Sequence, residues 1–519
     1  MSLIGRVGRK RPRARLATTV LYVVLCIGAL TTVYPFLFMA STGFKGPTDQ
    51  NDNKLVPAYW SDSEELLKKY RDDKYAGDIN VLESYNTGAN SEPTQITSYN
   101  DFLMSLPDRM WKAGFRVPPQ GVTSRLAVRW QQFLRIKYRS IDKLNVAHVD
   151  LNQSFQQVPI AIEAWEQPTW KPPKTIKWAD WAEFRRTLPA EFRIPVRTQW
   201  MFQEWLRSKY KNRFSDVPVS TAAGAKSFGE VPMGETSPNM LSGSSDWAQF
   251  WNRYGPAYNW DSIEDRWRTH IGKTGSSMPI LAAERQYLTL NRGAVTREFA
   301  VRNYLYVLDY ILLHGRSLIN TVLFCCLAVL AQVIVNPLAA YALSRFPMKA
   351  TASVLLFLLA TIAFPAEIAM IPSFLLLKKL NLLNTFAALV LPTAASGYTI
   401  YLLKGFFDSL PQEVFDSGQV DGAPEWLMML KLALPLSKPV LGYIALLSFM
   451  ASYGAFVYAF LVCQDSKMWT LMVFIYQLQI TSPKAVVMAA VTLAAIPTVL
   501  VFLAFQRVIM RGIVLPGER

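Results

Sequence analysis

Apolar residues along this chain follow two different patterns. Near the N-terminus and from about residue 315 onward they form uncharged runs of helix length. Between about 41 and 300 they recur at three- and four-residue spacing among polar and charged positions, the periodicity of amphipathic helices. The first run, 16–40, is too long for the core of a signal peptide and suits a helix across ~30 Å of hydrocarbon; a cleaved signal is the alternative. The later runs predict helices at 316–344, 352–371, 385–407, 437–462 and 485–506. With the first they make six spans, so the expected fold is an all-α integral membrane protein with a large, mainly helical domain inserted between spans 1 and 2. The expected divisions are a basic tail (1–15), span 1 (16–45), the insert (46–300) and a membrane core (301–519).

Charge sets the orientation. Arg6, Arg9, Lys10, Arg11, Arg13 and Arg15 precede the first run and place the N-terminus in the cytoplasm. An even span count returns the C-terminus to the same side, with Arg345, Lys349, Arg507 and Arg511 inside and the insert outside. Lys378 and Lys379 then lie outside, against the usual bias. Lys+Arg exceed Asp+Glu by 54 − 38 = 16, but basic residues beside apolar runs point to a membrane and not to nucleic acid. With 51% hydrophobic and 18% charged residues, the chain is neither disordered nor an ordinary soluble enzyme.

The insert carries a weak internal repeat. Phe102-Leu-Met-Ser-Leu106-Pro107 matches Phe184-Arg-Arg-Thr-Leu188-Pro189, and Phe133-Leu-Arg-Ile-Lys-Tyr138 matches Trp205-Leu-Arg-Ser-Lys-Tyr210. These are two related helical units, with a third, looser echo from Trp247 to Trp267; residues 217–245 read as a long Gly/Ser/Pro/Thr-rich loop. Thirteen of the fifteen tryptophans lie in the insert, where helical spacing favours core packing over stacking on sugars. The insert holds no cysteine, so it folds without disulfides.

Other chemistries fall away. Cys26, Cys325, Cys326 and Cys463 lie in or beside apolar runs, and His148, His270 and His314 are far apart, so neither a metal site nor a cofactor is expected. Glu163 and Glu166 are close enough to pose as an acid–base pair, with nothing else marking them. Gly272-Lys273-Thr274 mimics the end of a phosphate-binding loop, yet the earlier glycine that loop needs is Trp267, so the chain carries no ATPase of its own.

The informative segment is 408–435, between the fourth and fifth runs. Pro411 and Glu413 suit a helix start, Gly422 permits a turn, Pro424-Glu425 starts a second helical segment and Pro435 ends it. The segment resembles the EAA loop of ABC importer permeases: Glu-Ala-Ala, three residues, Gly, nine residues, Ile, one residue, Leu-Pro. Here it reads Asp416-Ser417-Gly418, Gly422, Leu432, Leu434-Pro435, with every spacing kept and a changed opening triplet. Gly418 weakens its helix by up to ~1 kcal/mol relative to alanine. The resemblance narrows to the carbohydrate-uptake, maltose-permease-like branch. It covers about 16–45 and 300–519, through Asn320-Thr321, Ala339–Phe346, Phe364-Pro365, Ile371-Pro372, Leu383-Asn-Thr385, Leu403–Phe407, Gln506-Arg507 and Gly512.

That resemblance implies a subunit of the bacterial inner membrane that forms half of a solute pathway. It implies a second permease, a pair of cytoplasmic ATPases and an external solute-binding protein as partners. Glu413, Asp416, Ser417, Gly418, Asp421, Gly422, Ala423, Leu434 and Pro435 then form the ATPase-coupling loop, and the tail 512–519 also reaches the ATPases. Gln332, Tyr398, Tyr453 and Tyr458 are pathway candidates, because polar groups at membrane depth usually face a cavity; helix packing is the alternative for each. Glu367 reads as an interface group. The insert is expected to dock the binding protein. The rival readings are a membrane-anchored extracytoplasmic carbohydrate-active enzyme and a scaffold or signalling protein that keeps the permease fold.

Overall fold

A computed structural model describes residues 12–511 except 117–123, 153–154, 156–157, 168, 233–244, 255–262, 273–276, 310–315, 347–348 and 364. The tail 512–519 and most of the basic N-terminal segment therefore lie outside the described residues. The chain forms two compact units: residues 1–303 with 482–485, and residues 304–481 with 486–519.

The N-terminal unit begins with α1 (Pro12–Gly43), whose apolar residues are exposed along its length. There follow α2 (Ser63–Lys74), α3 (Ile79–Ser84), α4 (Pro93–Ser105), α5 (Arg125–Tyr138), α6 (Ile141–His148), α7 (Ile176–Arg186), α8 (Thr198–Lys209), α9 (Val219–Ala222), α10 (Asp246–Tyr254), α11 (Ile263–Ile271) and α12 (Ile280–Asp309). Ser124 and Thr175 cap α5 and α7 by accepting the Ala127 and Trp178 amides at 3.0 and 3.2 Å, satisfying donors that the first turn leaves free.

The sequence repeat is a structural one. The Leu-Pro pairs at 106–107 and 188–189 stop α4 and α7, since proline cannot continue a helix. Each is followed by a 3₁₀ turn and a short strand, β1 (Trp111–Ala113) and β2 (Arg193–Pro195). The strands pair antiparallel with Lys112 opposite Ile194. Those two residues are 194 − 112 = 82 apart, the offset of the repeat itself, so a local dyad passes through the pair.

The aromatic core reveals a third unit. Trp130 and Phe133 of α5 meet Trp181 and Phe184 of α7, with Trp130–Trp181 edge-on at 5.0 Å. Phe202 and Trp205 of α8 meet Trp247 and Phe250 of α10 in the same way, with Phe202–Trp247 edge-on at 4.9 Å. Trp267 and His270 of α11 then meet Tyr99 and Phe102 of α4, with Trp267–Tyr99 edge-on at 5.7 Å. The second helix of each unit packs on the first helix of the next, and the last returns to the first: the pairing order is a closed ring. In two of these contacts a Lys–Tyr pair grips an aspartate. Lys137 and Tyr138 donate to Asp180 at 2.8 and 2.6 Å, and Lys209 and Tyr210 donate to Asp246 at 2.5 and 3.0 Å. The third contact has Ser98 at the aspartate's place.

The unit also holds the end of α1. Asn303 of α12 donates to the Gly43 and Lys45 carbonyls at 3.0 and 2.7 Å, and the buried Lys45 ammonium donates to the Asp52 carboxylate and to the Lys54 carbonyl.

The C-terminal unit contains α13 (Ser317–Arg345), α14 (Thr351–Ile362), α15 (Ala366–Lys379), α16 (Phe386–Val390), α17 (Gly397–Asp408), α18 (Gln412–Val420), α19 (Glu425–Met428), α20 (Leu434–Leu436), α21 (Lys438–Tyr453), α22 (Val457–Val462), α23 (Leu471–Thr481) and α24 (Lys484–Arg511). Among the described residues, Thr18–Gly43, Ser317–Arg345 and Lys484–Gln506 are long and apolar enough to cross a membrane. Two bent pairs, Phe386–Thr393 with Gly397–Asp408 and Glu425–Leu436 with Lys438–Tyr453, raise that to as many as five. The single helix expected over 352–371 is instead α14 and α15, because Pro365 adopts an extended conformation between them.

Asn320 and Thr321 fasten the start of α13: Asn320 donates to the Lys467 and Trp469 carbonyls, and the Thr321 hydroxyl accepts the Leu471 amide at 2.7 Å. Near the middle of α13, the fully buried Asn336 bonds to the 50° break between α16 and α17. It accepts the Ser396 amide at 2.9 Å and donates to the Ala394 carbonyl at 3.4 Å. The break exposes backbone groups that an apolar surround could not satisfy, and a side-chain amide replaces the missing helical partners.

Candidate functional site

Residues 411–437 fold as two helical segments around a sharp turn. Pro411 precedes α18 with Glu413 in its first turn, where a carboxylate suits the helix dipole. At the other end the Ala423 amide donates to the Gly418 carbonyl and the Gly422 amide to the Gln419 carbonyl, both at 3.0 Å, closing the helix in a Schellman-like turn. Gly422 has φ +70°, which a residue with a Cβ adopts at a cost, while no atom lies within 4 Å of where that Cβ would be. The backbone conformation, and not crowding, therefore calls for glycine at 422. Gly418 is the opposite case: a Cβ there would sit 3.2 Å from Leu432 and from Met428 of the second segment. The glycine that weakens the first helix is the one that lets the two segments close on each other.

The base of this turn is buried and the tip is bare. Phe415, Met428 and Ala433 pack with Phe407, Leu403 and Tyr341. Arg345, the last residue of α13, lies with its guanidinium 3.6 Å from the centre of the Phe415 ring and donates to Gln412 Oε1 at 2.6 Å and to the Phe407 carbonyl at 2.9 Å. Tyr341 donates to Glu425 at 2.9 Å, and Ser344 donates to Asp408 at 2.7 Å. Both segments of the loop are thus tied to the end of α13. Along α18 Glu413, Asp416 and Ser417 are exposed, and at the turn so are Asp421, Gly422, Val420 at 88% and Trp426 at 63%. A knob carrying three carboxylates and two bare apolar side chains on a rigid base is suited to seating in a partner's cleft.

The four polar residues marked inside the apolar runs do not converge. Gln332 donates to the Thr393 carbonyl at 2.8 Å, beside the Asn336 contact at the same helix break. Tyr453 donates to the Ala494 carbonyl at 2.5 Å and Tyr458 to the Ala388 carbonyl at 2.8 Å. Tyr398, on the first turn of α17, is exposed. Tyr453 also lines an apolar cavity of about 420 Å³ with Cys325, Cys326, Phe449 and Pro497. The sequence reading gave Arg345 only an orienting role and passed over Tyr341, Phe415 and Asn336. A polar or aromatic residue inside a helical run was the available signal, but its partners are far away in the chain.

In the N-terminal unit, Glu163 is a structural anion. Arg116 and Arg185 pair with it at 2.6 and 2.5 Å, and the Ala113 amide and Trp181 indole donate to it. Burial alone would raise its pKa, but the two guanidiniums and these bonds outweigh it and hold the carboxyl below its usual range. Glu166 sits 3.8 Å from Lys112. Among the described residues no group of three or more His, Cys, Asp or Glu is placed to hold a metal.

Residues 332–514 match the family of binding-protein-dependent transport system inner membrane components. The chain is 32% identical over 206 residues to the sn-glycerol-3-phosphate transport system permease protein UgpE of Yersinia pestis bv. Antiqua, covering 38% of this chain and 73% of that one. The chain belongs to this permease family. It is also 27% identical over 249 residues to the arabinooligosaccharides transport system permease protein AraQ of Halalkalibacterium halodurans, covering 46% of this chain and 88% of that one. To the diacetylchitobiose uptake system permease protein NgcG of Streptomyces coelicolor it is 28% identical over 199 residues, covering 37% and 66%. A crystal structure of a bacterial ABC transporter involved in import of the polysaccharide alginate aligns with TM-score 0.36 and 24% identity over 40% of this chain and 78% of that chain. The chain is thus a mainly helical membrane permease, a transport component and not an enzyme, and the expected membership of the ABC importer permeases holds. The family match begins inside α13, so it does not extend to the N-terminal unit.

Proposed function

We propose that the permease forms half of the translocation pathway of an ABC importer for saccharides, and that the 408–435 segment seats in a cleft of a cytoplasmic ATPase dimer. The observation that carries this reading is the turn at Gly422. Its tip is exposed, acidic and partly apolar, while Arg345 and Tyr341 tie its base to α13. A push on the tip is therefore delivered to α13 and, through the Arg345–Phe407 contact, to α17, whose first turn follows the break that Asn336 of α13 bonds. Movement of that pair as a body supports an alternating-access switch. Saccharides are the favoured solute because AraQ and NgcG are named for oligosaccharides. Gln332, Tyr398, Tyr453 and Tyr458 stay as pathway candidates, Gln332 the foremost because it lies at the break.

The partners on this reading are the ATPase pair, a second permease and an external solute-binding protein, which the N-terminal unit docks on the outer face. Both termini lie in the cytoplasm. The test is Gly422→Asp, which adds a strained side chain and a charge at the proposed contact. Uptake should be lost at unchanged membrane abundance, and an ATPase that copurifies with the native chain should be lost from the variant. Uptake at the native rate would refute the coupling role. Cysteines placed at Asn90 and Leu151, both exposed, should react with an impermeant thiol reagent on intact spheroplasts; labelling only after lysis would reverse the orientation.

A further inference from the structure

The N-terminal unit contains a cleft of about 500 Å³ between α2, α4, α12 and the turn at 189–191, within the usual size range of small-molecule sites. Its floor is rigid. Glu284 of α12 accepts from Lys74 Nζ at 2.9 Å and Tyr75 Oη at 2.7 Å and pairs with the Arg71 guanidinium at 2.9 Å, and the rings of Tyr99, Tyr70 and Tyr287 line the cleft beside it. Its rim carries three polar side chains from three separate segments: Asn100 of α4, Glu191 of the turn and Gln286 of α12. None of the three makes a hydrogen bond or ion pair with a described residue.

The ring of repeats singles out one of them. Asn100 precedes Phe102 by two residues, and the same places before Phe184 and Phe250 are Ala182 and Ala248. Asparagine is a poorer helix former than alanine. Here it replaces the residue its two sibling helices carry, its side chain bonds to no described residue, and it lines the cleft. It is exposed there, so packing does not call for it and its amide is open to a ligand. The charges of the floor and rim balance, with Lys74 and Arg71 against Glu284 and Glu191, so the cleft favours no ionic ligand. Free amides and a carboxylate above a floor of tyrosines and leucine match a molecule with many hydroxyls and apolar ring faces.

We propose that this cleft is a binding site for a neutral saccharide, separate from the membrane pathway. The identity of the ligand class rests on the saccharide-import reading above; the existence of the site rests on the cleft itself.

The test uses the full chain in nanodiscs, with neutral maltotriose, arabinotriose and diacetylchitobiose as probes and calorimetric titration as the readout. Saturable binding of at least one probe is expected. Asn100→Ala, which copies α7 and α10 and leaves the fold intact, combined with Gln286→Ala should weaken it about tenfold, because each removes a directed hydrogen bond. Gly422→Asp should abolish uptake and leave this binding untouched. Sugar uptake without Asn100-sensitive binding would overturn the site while leaving the transport reading standing. Asn100-sensitive binding without energy-dependent uptake of any saccharide would keep the site and sink the transport reading. Occupation of the cleft by a polypeptide segment, seen by crosslinking from position 100, would also overturn the proposal.

Discussion

The guanidinium of Arg345 lies 3.6 Å from the centre of the Phe415 ring, and this contact joins the end of α13 to the hidden face of α18 through both charge and stacking. The same guanidinium donates to Gln412 and to the Phe407 carbonyl, so one side chain fixes three elements. A planar group with five donors can do this; an ammonium cannot stack and fork at once.

Replacing Arg345 should therefore loosen the loop without removing it. Arg345→Ala is expected to lower uptake about tenfold, since a half-buried cation–π contact and two charge-assisted bonds are each worth ~1 kcal/mol. Arg345→Lys should recover less than half of the loss. Uptake is measured at matched membrane abundance, and a fully active lysine variant would show that the fork is not needed.

Val420 and Trp426 flank the turn and touch little of the molecule, so their value lies in what they meet. Val420→Ser with Trp426→Ala should change thermal stability by no more than ~0.5 kcal/mol. Copurification of the ATPase should nevertheless fall sharply, as exposed aromatic anchors dominate such contacts. A variant that retains its ATPase would remove these side chains from the interface.

Asn336 is fully buried at the break between α16 and α17. Asn336→Ala leaves the Ser396 amide and the Ala394 carbonyl without their side-chain partner, a loss of ~1–3 kcal/mol for each buried group. The detergent-solubilised variant should melt lower, and Asn336→Leu, which adds bulk as well, lower still. An unchanged melting temperature would mean that the break between α16 and α17 satisfies itself.

Much of this was legible in the chain, and the reasons differ by region. The apolar runs and the spacing Asp416, Gly422, Leu432, Leu434 are local patterns, so they survived the absence of any partner information. Pro365 was visible too, but its effect depends on whether neighbours tolerate a break, and it split an expected helix in two. The pairing of Trp267 with Tyr99 could not be read, because a ring that closes last on first joins residues far apart in sequence. The repeat at 102 and 184 hinted at it through an offset of 82, which reappears as the Lys112–Ile194 strand pair.

Acid should weaken the N-terminal unit through two matched groups. Burial alone would raise the Asp180 carboxyl, but bonds from Lys137, Tyr138 and His148 hold it below its usual value. Asp246 is lowered in the same way by Lys209, Thr221 and Tyr210. Burial and their bonds to these aspartates push the Tyr138 and Tyr210 hydroxyls up to about 12, so both remain donors. A carboxyl depressed in the folded state contributes stability that is complete above its unfolded pKa of about 4 and is lost as pH falls through the folded value. The thermal unfolding of this unit should be flat between about pH 5 and 7 and drop below about pH 4. Asp246→Asn should be less stable at neutral pH and show a shallower acid loss; an identical acid slope would place the titration elsewhere.

The closed order of the repeats makes a prediction that an open array would not. In an open array, damage to the last unit spares the first. In this ring α11 packs on α4, so removing the fully buried Trp267 should unfasten both. Trp267→Ala is expected to cost ~3–5 kcal/mol. Hydrogen exchange should show loss of protection in α4 together with α11, despite the long stretch of chain between them, while α5 and α7 stay protected longest. Trp130→Phe makes the control, because Phe202 already occupies that place in the next unit; its cost should be smaller and its exchange changes confined to α5 and α7. If Trp267→Ala exposes α11 alone and leaves α4 protected, the units do not close on one another as a cooperative ring.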